Sequence, residues 1–209
     1  MNRSAKFWDK LARKYSQMPI KDEENYQKKL AETQAYFSPD SRVLEFGCGT
    51  GSTAIAHAPH VNHIDAIDIS ENMINIGREK AKEADIENVS FHQGTLEQFN
   101  ADSSTMDAVL ALNVVHLLPD RLAAMNESNR ILKSGGVFIT SAVCLGASHY
   151  RFIKWVAPIG KLLGLLPDIK VMTVQELNNE LAQAGFTIES QWQHGPQDIS
   201  VFTIARKMA

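Results

Sequence analysis

Residues 43–51 read Val-Leu-Glu-Phe-Gly-Cys-Gly-Thr-Gly, and this stretch decides the fold. A short apolar run with one acid, Glu45, breaks into three glycines on alternate positions, which is typical of a buried parallel strand that ends in a tight turn. Glycine allows backbone angles that a side chain forbids, and it lets a ligand approach the main chain closely. Because Ser52–Ala58 is compatible with a helix, the stretch predicts a nucleotide-binding strand–loop–helix unit.

The spacing of the glycines limits the class of ligand that the loop is expected to bind. A dinucleotide-binding loop has the pattern Gly-x-Gly-x-x-Gly, and here Ser52 stands where its third glycine is expected. No Lys-Ser or Lys-Thr follows, which argues against a phosphate-binding loop of the Walker type. The pattern Glu45-x-Gly47-x-Gly49-x-Gly51 instead resembles motif I of the class I S-adenosylmethionine-dependent methyltransferases. The resemblance implies that the loop wraps the methionine part of S-adenosylmethionine and that Glu45 helps to hold its ammonium group.

A second predicted strand, His63–Ile69, also ends at an acid. Asp68 lies 21 residues after Gly47, and an acid at this distance hydrogen-bonds ribose hydroxyls in adenosine cofactor sites. Ser70 is a good N-cap, so we expect the next helix to begin there and to end near Glu83.

The next two predicted strands end in segments that the resemblance also assigns to the site. Asn88–Gln93 runs into Gly94-Thr95-Leu96, where the family often has an acid that accepts a hydrogen bond from the adenine amine. Thr95 departs from that pattern, although a hydroxyl can accept the same bond. Met106–Leu112 is followed by Asn113, and the resemblance implies that the residues after this strand face the transferable methyl group.

These motifs predict a set of site residues. His116, which follows the fourth strand, is the candidate general base, and the alternative is a packed or solvent-exposed histidine in a loop. Metal-dependent members of the family have acids where Asn113 stands, so no metal is inferred. The predicted cofactor-binding residues are Tyr15, Glu45, Gly47, Cys48, Gly49, Gly51, Asp68, Ile69, Met73, Gly94, Thr95, Leu96 and Asn113.

The order of motifs predicts an α/β fold with a doubly wound, Rossmann-like sheet of seven mostly parallel strands and helices on both faces. Asp120 is expected to cap a helix to Leu132, Lys133–Gly136 to close it, and a fifth strand to begin at Val137. The capping box Thr173–Glu176 opens the last helix before two further strands. The resemblance adds that the last strand is antiparallel.

We expect a single domain, 1–209, with four parts: an N-terminal helical extension (1–39), a cofactor-binding core (40–145), an insertion (146–170) and a C-terminal helix with strands (171–209). The helix that bears Trp8 and Tyr15 is expected to cover the cofactor, with plain packing on the core as the alternative. The apolar, basic segment 149–167 is a candidate lid, dimer face or membrane-surface helix.

Composition limits the classes of partner and compartment. The formal net charge is −3, which argues against a chain built to bind nucleic acid. A homodimer is a separate expectation, because the segment 149–167 is a candidate dimer face. Hydrophobic residues make up 44% and charged residues 22%, and no apolar run is long enough to span a membrane. Two cysteines do not form a disulfide framework, so the cytoplasm is the expected compartment.

The resemblance therefore implies transfer of a methyl group from S-adenosylmethionine to a small-molecule acceptor. Basic residues in the N-terminal extension and in the segment 149–167 favour an acceptor that is aromatic or amphiphilic and anionic. Two alternatives remain open at this stage: a non-catalytic scaffold that binds the cofactor, and a dinucleotide-dependent oxidoreductase.

Overall fold

Seven strands form one sheet in the computed structural model, which describes residues 3–20, 22–146, 170–193, 195 and 199–208. The strands are β1 (Arg42–Phe46), β2 (His63–Asp68), β3 (Val89–Gln93), β4 (Met106–Leu112), β5 (Leu132–Val143), β6 (Phe186–Trp192) and β7 (Ser200–Lys207). Their order across the sheet is β3-β2-β1-β4-β5-β7-β6. The first five strands are parallel, and β7 is antiparallel to both of its neighbours. The predicted mostly parallel sheet with an antiparallel last strand is confirmed.

The helices cover both faces of this sheet. They are α1 (Arg3–Ser16), α2 (Glu23–Gln34), α3 (Ser52–His57), α4 (Glu71–Glu83), α5 (Leu96–Phe99), α6 (Arg121–Ile131) and α7 (Val174–Gln183), with 3-10 turns at Ala58–His60 and Val115–Leu117. Neighbouring residues of β1 alternate between two apolar clusters, because successive side chains of a strand point to opposite faces. Val43 packs in the cluster that includes α3 and α4, and Leu44 packs in the one that includes α6 and α7.

Three helices begin at the capping residues that the sequence indicates. The Ser70 hydroxyl accepts a hydrogen bond from the Met73 amide at 3.1 Å, and Asp120 accepts one from the Ala123 amide at 2.9 Å. Thr173 forms the predicted capping box, in which its own amide donates to the Glu176 carboxylate at 2.7 Å. These side chains satisfy amides that have no partner inside the helix, so local sequence sets where each helix starts.

The expected helix closure at Lys133–Gly136 is wrong. Helix α6 ends at Ile131, and Leu132 is already extended and paired with Met106, so β5 begins five residues before the expected Val137. Lys133 does not serve the helix end, because its amine forms an ion pair with Asp107 at 2.8 Å. Leu132 and Val137 pair with β4 on either side of an irregularity in the register, so residues 133–136 belong to β5 and do not close the helix.

The predicted lid, 149–167, and most of the insertion lie outside the described residues, so its role stays a prediction. Among the helices that the structure describes, none is long and apolar enough to cross a membrane.

We predict that Gly51→Ala destabilises the fold more than Gly135→Ala does. Both glycines have a positive φ, +73° and +74°, but a Cβ on Gly51 meets the Phe91 ring at 2.5 Å, whereas a Cβ on Gly135 meets nothing within 4 Å. The shared backbone strain costs about 1–2 kcal/mol in each variant. Overpacking against Phe91 adds about 1–3 kcal/mol in Gly51→Ala alone. Urea unfolding measures both, and equal losses would contradict the packing role of Gly51.

Candidate functional site

A cavity of about 300 Å³ opens at the carboxyl ends of β1, β2, β3 and β4. Ligands of open α/β sheets bind at this edge, because the loops that follow parallel strands meet there. Ten of the thirteen predicted cofactor residues lie in its wall: Tyr15, Gly47, Gly49, Asp68, Ile69, Met73, Gly94, Thr95, Leu96 and Asn113. The structure thus brings together residues from four strand ends and from the N-terminal extension.

The glycine loop is held tightly against its neighbours. Gly47 has a φ of +67°, and a Cβ there would lie 2.4 Å from a methyl group of Val114, so a side chain is excluded both by the backbone and by the contact. The Cys48 amide donates to the carbonyl of Ile67 at 3.0 Å, which ties the loop to the end of β2. The loop therefore presents bare backbone to the cavity.

Asp68 connects the loop to the next helix. Its Oδ2 accepts from the Gly49 amide at 3.0 Å, and its Oδ1 accepts from the Ser70 amide at 2.9 Å. Burial raises the pKa of this carboxyl above its ordinary value, and the two amides oppose that rise. Each carboxylate oxygen can accept more than one hydrogen bond, so Asp68 can hold a hydroxyl of a ligand while it holds the loop.

Three predicted residues lie behind the wall of the cavity. Gly51 packs on Phe91, and the Cys48 thiol contacts the carbonyl of Gly49 at 3.7 Å. Glu45 is 2% exposed, and its Oε2 has no hydrogen-bond partner among the described residues. Burial, and then the charge of Asp68, raises the pKa of Glu45 to about 8. A buried acid in this condition is strongly stabilised by any cation that comes near.

Thr95 has a structural task besides the predicted one. Its hydroxyl caps α5 by accepting from the Gln98 amide at 3.3 Å, and the Gln98 side chain accepts from the Thr95 amide at 2.9 Å. This capping box holds the end of β3 in place. The hydroxyl oxygen keeps one lone pair and lies in the cavity wall, where it can accept from a ligand amine.

His116 is absent from the residues that line the cavity. It is buried in the 3-10 turn after β4, and its Nδ1 accepts from the Val143 amide at 3.3 Å, which leaves the ring proton on Nε2. Burial lowers the pKa of His116 to about 4. The ring therefore supports the turn that shapes one wall, and its role as a base stays a prediction.

Helix α1 covers the cavity and is attached at a defined point. Ser4, Trp8 and Tyr15 lie on one side of it and contribute to the wall, and the rings of Trp8 and Tyr15 meet edge to face with centroids 6.3 Å apart. The Asp9 carboxylate accepts from the Ser70 hydroxyl at 2.7 Å. It also accepts from the Asn72 amide at 3.2 Å, so α1 is attached to the first turn of α4. Sequence reasoning missed Ser4, although its spacing of four from Trp8 indicates the same helix face.

The rest of the wall is mainly apolar and follows β4. Its residues are Leu112, Val114, Leu117, Leu118, Pro119 and Ala124, with Phe46 at the end of β1 and the acids Glu97 and Asp120. Ala124 lies in helix α6 and Asp120 is the N-cap of that helix, and no spacing rule in the sequence placed either residue in the cavity wall. Among the described residues, no group of three or more His, Cys, Asp or Glu could hold a metal ion.

Comparisons with known proteins agree with this geometry. Residues 43–136 match the family model described as a methyltransferase domain. The chain is 33% identical over 111 residues to an uncharacterized methyltransferase, YcgJ, of Bacillus subtilis, covering 53% of this chain and 42% of that protein. It is 34% identical over 136 residues to a demethylmenaquinone methyltransferase of Staphylococcus aureus, covering 58% and 54%.

A solved structure extends the likeness to most of the chain. The geranyl diphosphate C-methyltransferase of Streptomyces coelicolor, solved with geranyl diphosphate and S-adenosyl-L-homocysteine, superposes with a TM-score of 0.73 at 17% identity, covering 89% of this chain and 79% of that one. The chain spans about half the length of the curated relatives it matches. Residues 43–136 therefore match a methyltransferase domain, in agreement with the resemblance drawn from the sequence, and the solved structure shows that the two chains share a fold.

We predict that His116 makes the fold sensitive to acid. Its pKa of about 4 lies below the ordinary histidine value of 6.5, so the unfolded chain binds the proton more tightly. The neutral His116 ring makes its full contribution to the free energy of unfolding above pH 6.5. This contribution decreases as the pH falls toward 4, by about 1.4 kcal/mol per pH unit at most. In His116→Asn, an amide oxygen can replace Nδ1 as the acceptor without titrating. The variant should lose this part of the pH dependence in urea unfolding at pH 7 and pH 5, and an unchanged dependence would contradict the assignment.

Proposed function

We propose that this protein transfers a methyl group from S-adenosylmethionine to a small-molecule acceptor. The observation that carries the proposal is the unpartnered oxygen of Glu45, which lies behind a cavity built from four strand ends. A buried carboxyl with no hydrogen-bond partner among the described residues fits a ligand that brings its own positive charge. S-adenosylmethionine carries both an ammonium and a sulfonium group.

The described residues fit the methionine part, the ribose and the adenine of this cofactor in turn. Gly47 and Gly49 would lie along its methionine part, with Glu45 as the partner of the ammonium group. Asp68 would accept from the ribose hydroxyls, and Thr95 from the adenine amine. Ile69, Met73 and Leu96 supply apolar wall for the adenine ring, which is stabilised by removal from water.

The bound cofactor supplies a methyl group on a positively charged sulfur, which makes the carbon reactive. The chain's own residues then have to hold the acceptor in line with that carbon and exclude water. The covering helix α1 and the apolar wall after β4 suit both tasks. A base is needed only for an acceptor that must lose a proton during transfer, so the proposal does not depend on His116.

The acceptor that this wall favours is small and largely apolar. The names of two similar proteins, a demethylmenaquinone methyltransferase and a geranyl diphosphate C-methyltransferase, point to small-molecule acceptors, and this chain shares their domain or fold. An aromatic or amphiphilic acceptor with negative charge is part of the same proposal. Homodimerisation and a cytoplasmic location remain predictions, the latter supported by two buried free cysteines.

The alternatives are weaker on specific grounds. Gly51, the third glycine of the loop, packs on Phe91 instead of facing the cavity, and the family model that residues 43–136 match is a methyltransferase domain. A scaffold that binds the cofactor without transfer is tested by incubating the protein with isotopically labelled S-adenosylmethionine and a metabolite extract. A labelled product that requires the protein supports the enzyme, and its absence from extracts of several growth conditions supports the scaffold.

We predict that Asp68→Ala weakens the binding of S-adenosylhomocysteine by about 1–3 kcal/mol, because ribose hydroxyls lose a buried partner. Asp107→Ala is the matched control. Asp107 lies at the start of β4, away from the cavity, where its carboxylate pairs with Lys133 and accepts a hydrogen bond from the Arg42 amide. Isothermal titration calorimetry should show near wild-type affinity in the control, and equal affinity in both variants would count against the assigned ribose site.

We further predict that cofactor binding releases a proton from Glu45. With a pKa of about 8, this carboxyl is mostly protonated at pH 7 in the free protein, and an ammonium group stabilises the ionised form. Affinity for S-adenosylhomocysteine should therefore rise between pH 6 and pH 8, by about tenfold per pH unit at most.

Calorimetry in two buffers of different ionisation enthalpy counts the released protons. Glu45→Gln should release none, and neither should wild type with 5′-methylthioadenosine, which lacks the amino-acid part. If wild type and Glu45→Gln release the same number of protons with S-adenosylhomocysteine, binding is not coupled to the ionisation of Glu45.

A further inference from the structure

A line of hydrogen bonds runs from helix α2 through the sheet to the cavity wall. The Lys29 amine donates to the Ser141 hydroxyl at 3.3 Å, and that hydroxyl donates to Asn113 Oδ1 at 3.2 Å. The Ser200 hydroxyl lies 3.2 Å from the same Ser141 oxygen. Ser141 is 1% exposed on β5, whereas Asn113 is exposed and lies in the cavity wall. The line therefore links a cation outside the wall to an amide inside it.

The chemistry of the groups fixes the direction of these bonds. A lysine ammonium can only donate, so the Ser141 oxygen accepts from Lys29 and its one proton is left for Asn113. The second lone pair of Ser141 can accept from Ser200. Because Asn113 Oδ1 is the acceptor, the Asn113 NH₂ group keeps two donors, and it has no partner among the described residues. Hydrogen bonds in a line polarise one another, so a cation at one end makes the amide at the other end a stronger donor.

The backbone fixes Asn113 in place as well. Its φ is +59°, a left-handed conformation that few residues other than glycine adopt, although asparagine tolerates it. Its amide donates to the carbonyl of Ser141 at 2.7 Å, and the next residue, Val114, packs against Gly47 of the loop. Backbone strain of this kind is concentrated at functional sites. Asn113 is thus fixed in the cavity wall, one residue before the contact with the loop that is assigned to the methionine part of the cofactor.

We propose that the Asn113 NH₂ group binds an oxygen of the methyl acceptor, and that this acceptor is a phenol or enol bound as its oxyanion. Ser141 and Lys29 are positioning residues, which orient the amide and strengthen it as a donor. The inference rests on the proposed function, since it assigns the acceptor's place in the same cavity. It gives Asn113 a role toward the acceptor, beyond the cofactor contact expected from the sequence.

The surroundings favour a flat apolar molecule with one anionic oxygen. Leu117, Leu118 and Pro119 supply apolar wall near Asn113 in the sequence. The wall acids Glu97 and Asp120 lie at the starts of helices, where exposed amides stabilise negative charge, and Asp120 accepts from the Ala123 amide. The wall acids would repel a second anionic group on the acceptor. A single oxyanion at Asn113 would instead accept a hydrogen bond from the amide that Lys29 polarises through Ser141.

The test uses 4-nitrophenol as the probe, because its phenolate is observed directly by absorbance, and 4-nitrotoluene as the matched compound without the hydroxyl. Affinity of every variant for S-adenosylhomocysteine is measured first, and both probes are then titrated into the saturated complex. Wild type should bind 4-nitrophenolate about tenfold or more tightly than 4-nitrotoluene, and the pKa of the bound phenol should fall by about one pH unit.

Two substitutions separate the roles. Asn113→Asp keeps the size, the tolerance of the backbone angle and the acceptor for Ser141, but it removes both donors, so the preference for the phenolate should be lost. Lys29→Met keeps the apolar stem and removes the cation, so the preference should fall about threefold while affinity for 4-nitrotoluene stays unchanged. A merely structural Lys29 would change both probes equally.

The outcomes distinguish this inference from the proposed function. If S-adenosylhomocysteine does not bind to wild type, the proposed function fails. If it binds but wild type shows no preference for 4-nitrophenolate, or keeps the preference in Asn113→Asp, the inference is overturned and the cofactor assignment stands. A Lys29→Met variant identical to wild type with both probes overturns the positioning role alone.

Discussion

The hydrogen bonds of Asp68 hold together the elements around the cavity. One oxygen of this carboxylate fixes the glycine loop after β1 through Gly49, and the other fixes the start of α4 through Ser70. The Ser70 hydroxyl in turn donates to Asp9 of α1. A loop, a strand end, a helix start and the covering helix therefore share one line of hydrogen bonds. Movement of any of them alters the position of the carboxylate that is assigned to the ribose.

Acidic groups are concentrated on and beside this line, and the structure pairs them incompletely. After burial, the charge of Asp68 raises the pKa of Glu45, and the charge of Asp9 acts in the same direction on Asp68. Burial, and then the charges of Asp68 and Glu45, also raises the pKa of the Tyr15 hydroxyl in the wall. A positively charged ligand beside these groups stabilises their ionised forms and so opposes the effect of burial on each pKa. This explains in physical terms why the site suits a cofactor with an ammonium group rather than an anionic nucleotide.

Much of the fold could be predicted because its signals are local. Strand ends, glycines and capping residues act on neighbours within a few positions, so the starts of α4, α6 and α7 follow from the sequence. The errors and omissions concern contacts between distant residues. Lys133 pairs with Asp107, Gly51 packs on Phe91, and Lys29 reaches Ser141 across 112 positions of the chain. Spacing rules do not predict contacts between such distant residues. The direction of the His116 ring and the hydrogen bonds from Lys29 to Asn113 could therefore be found only in the structure.

A crystal structure of the protein with S-adenosylhomocysteine tests the central claim most directly. The account predicts the ligand in the cavity beneath α1, with its ribose hydroxyls on Asp68, its ammonium group on the side of Glu45 and the glycine loop along its amino-acid part. A ligand bound elsewhere on the chain, or one whose ribose and ammonium groups contact neither acid, would contradict it.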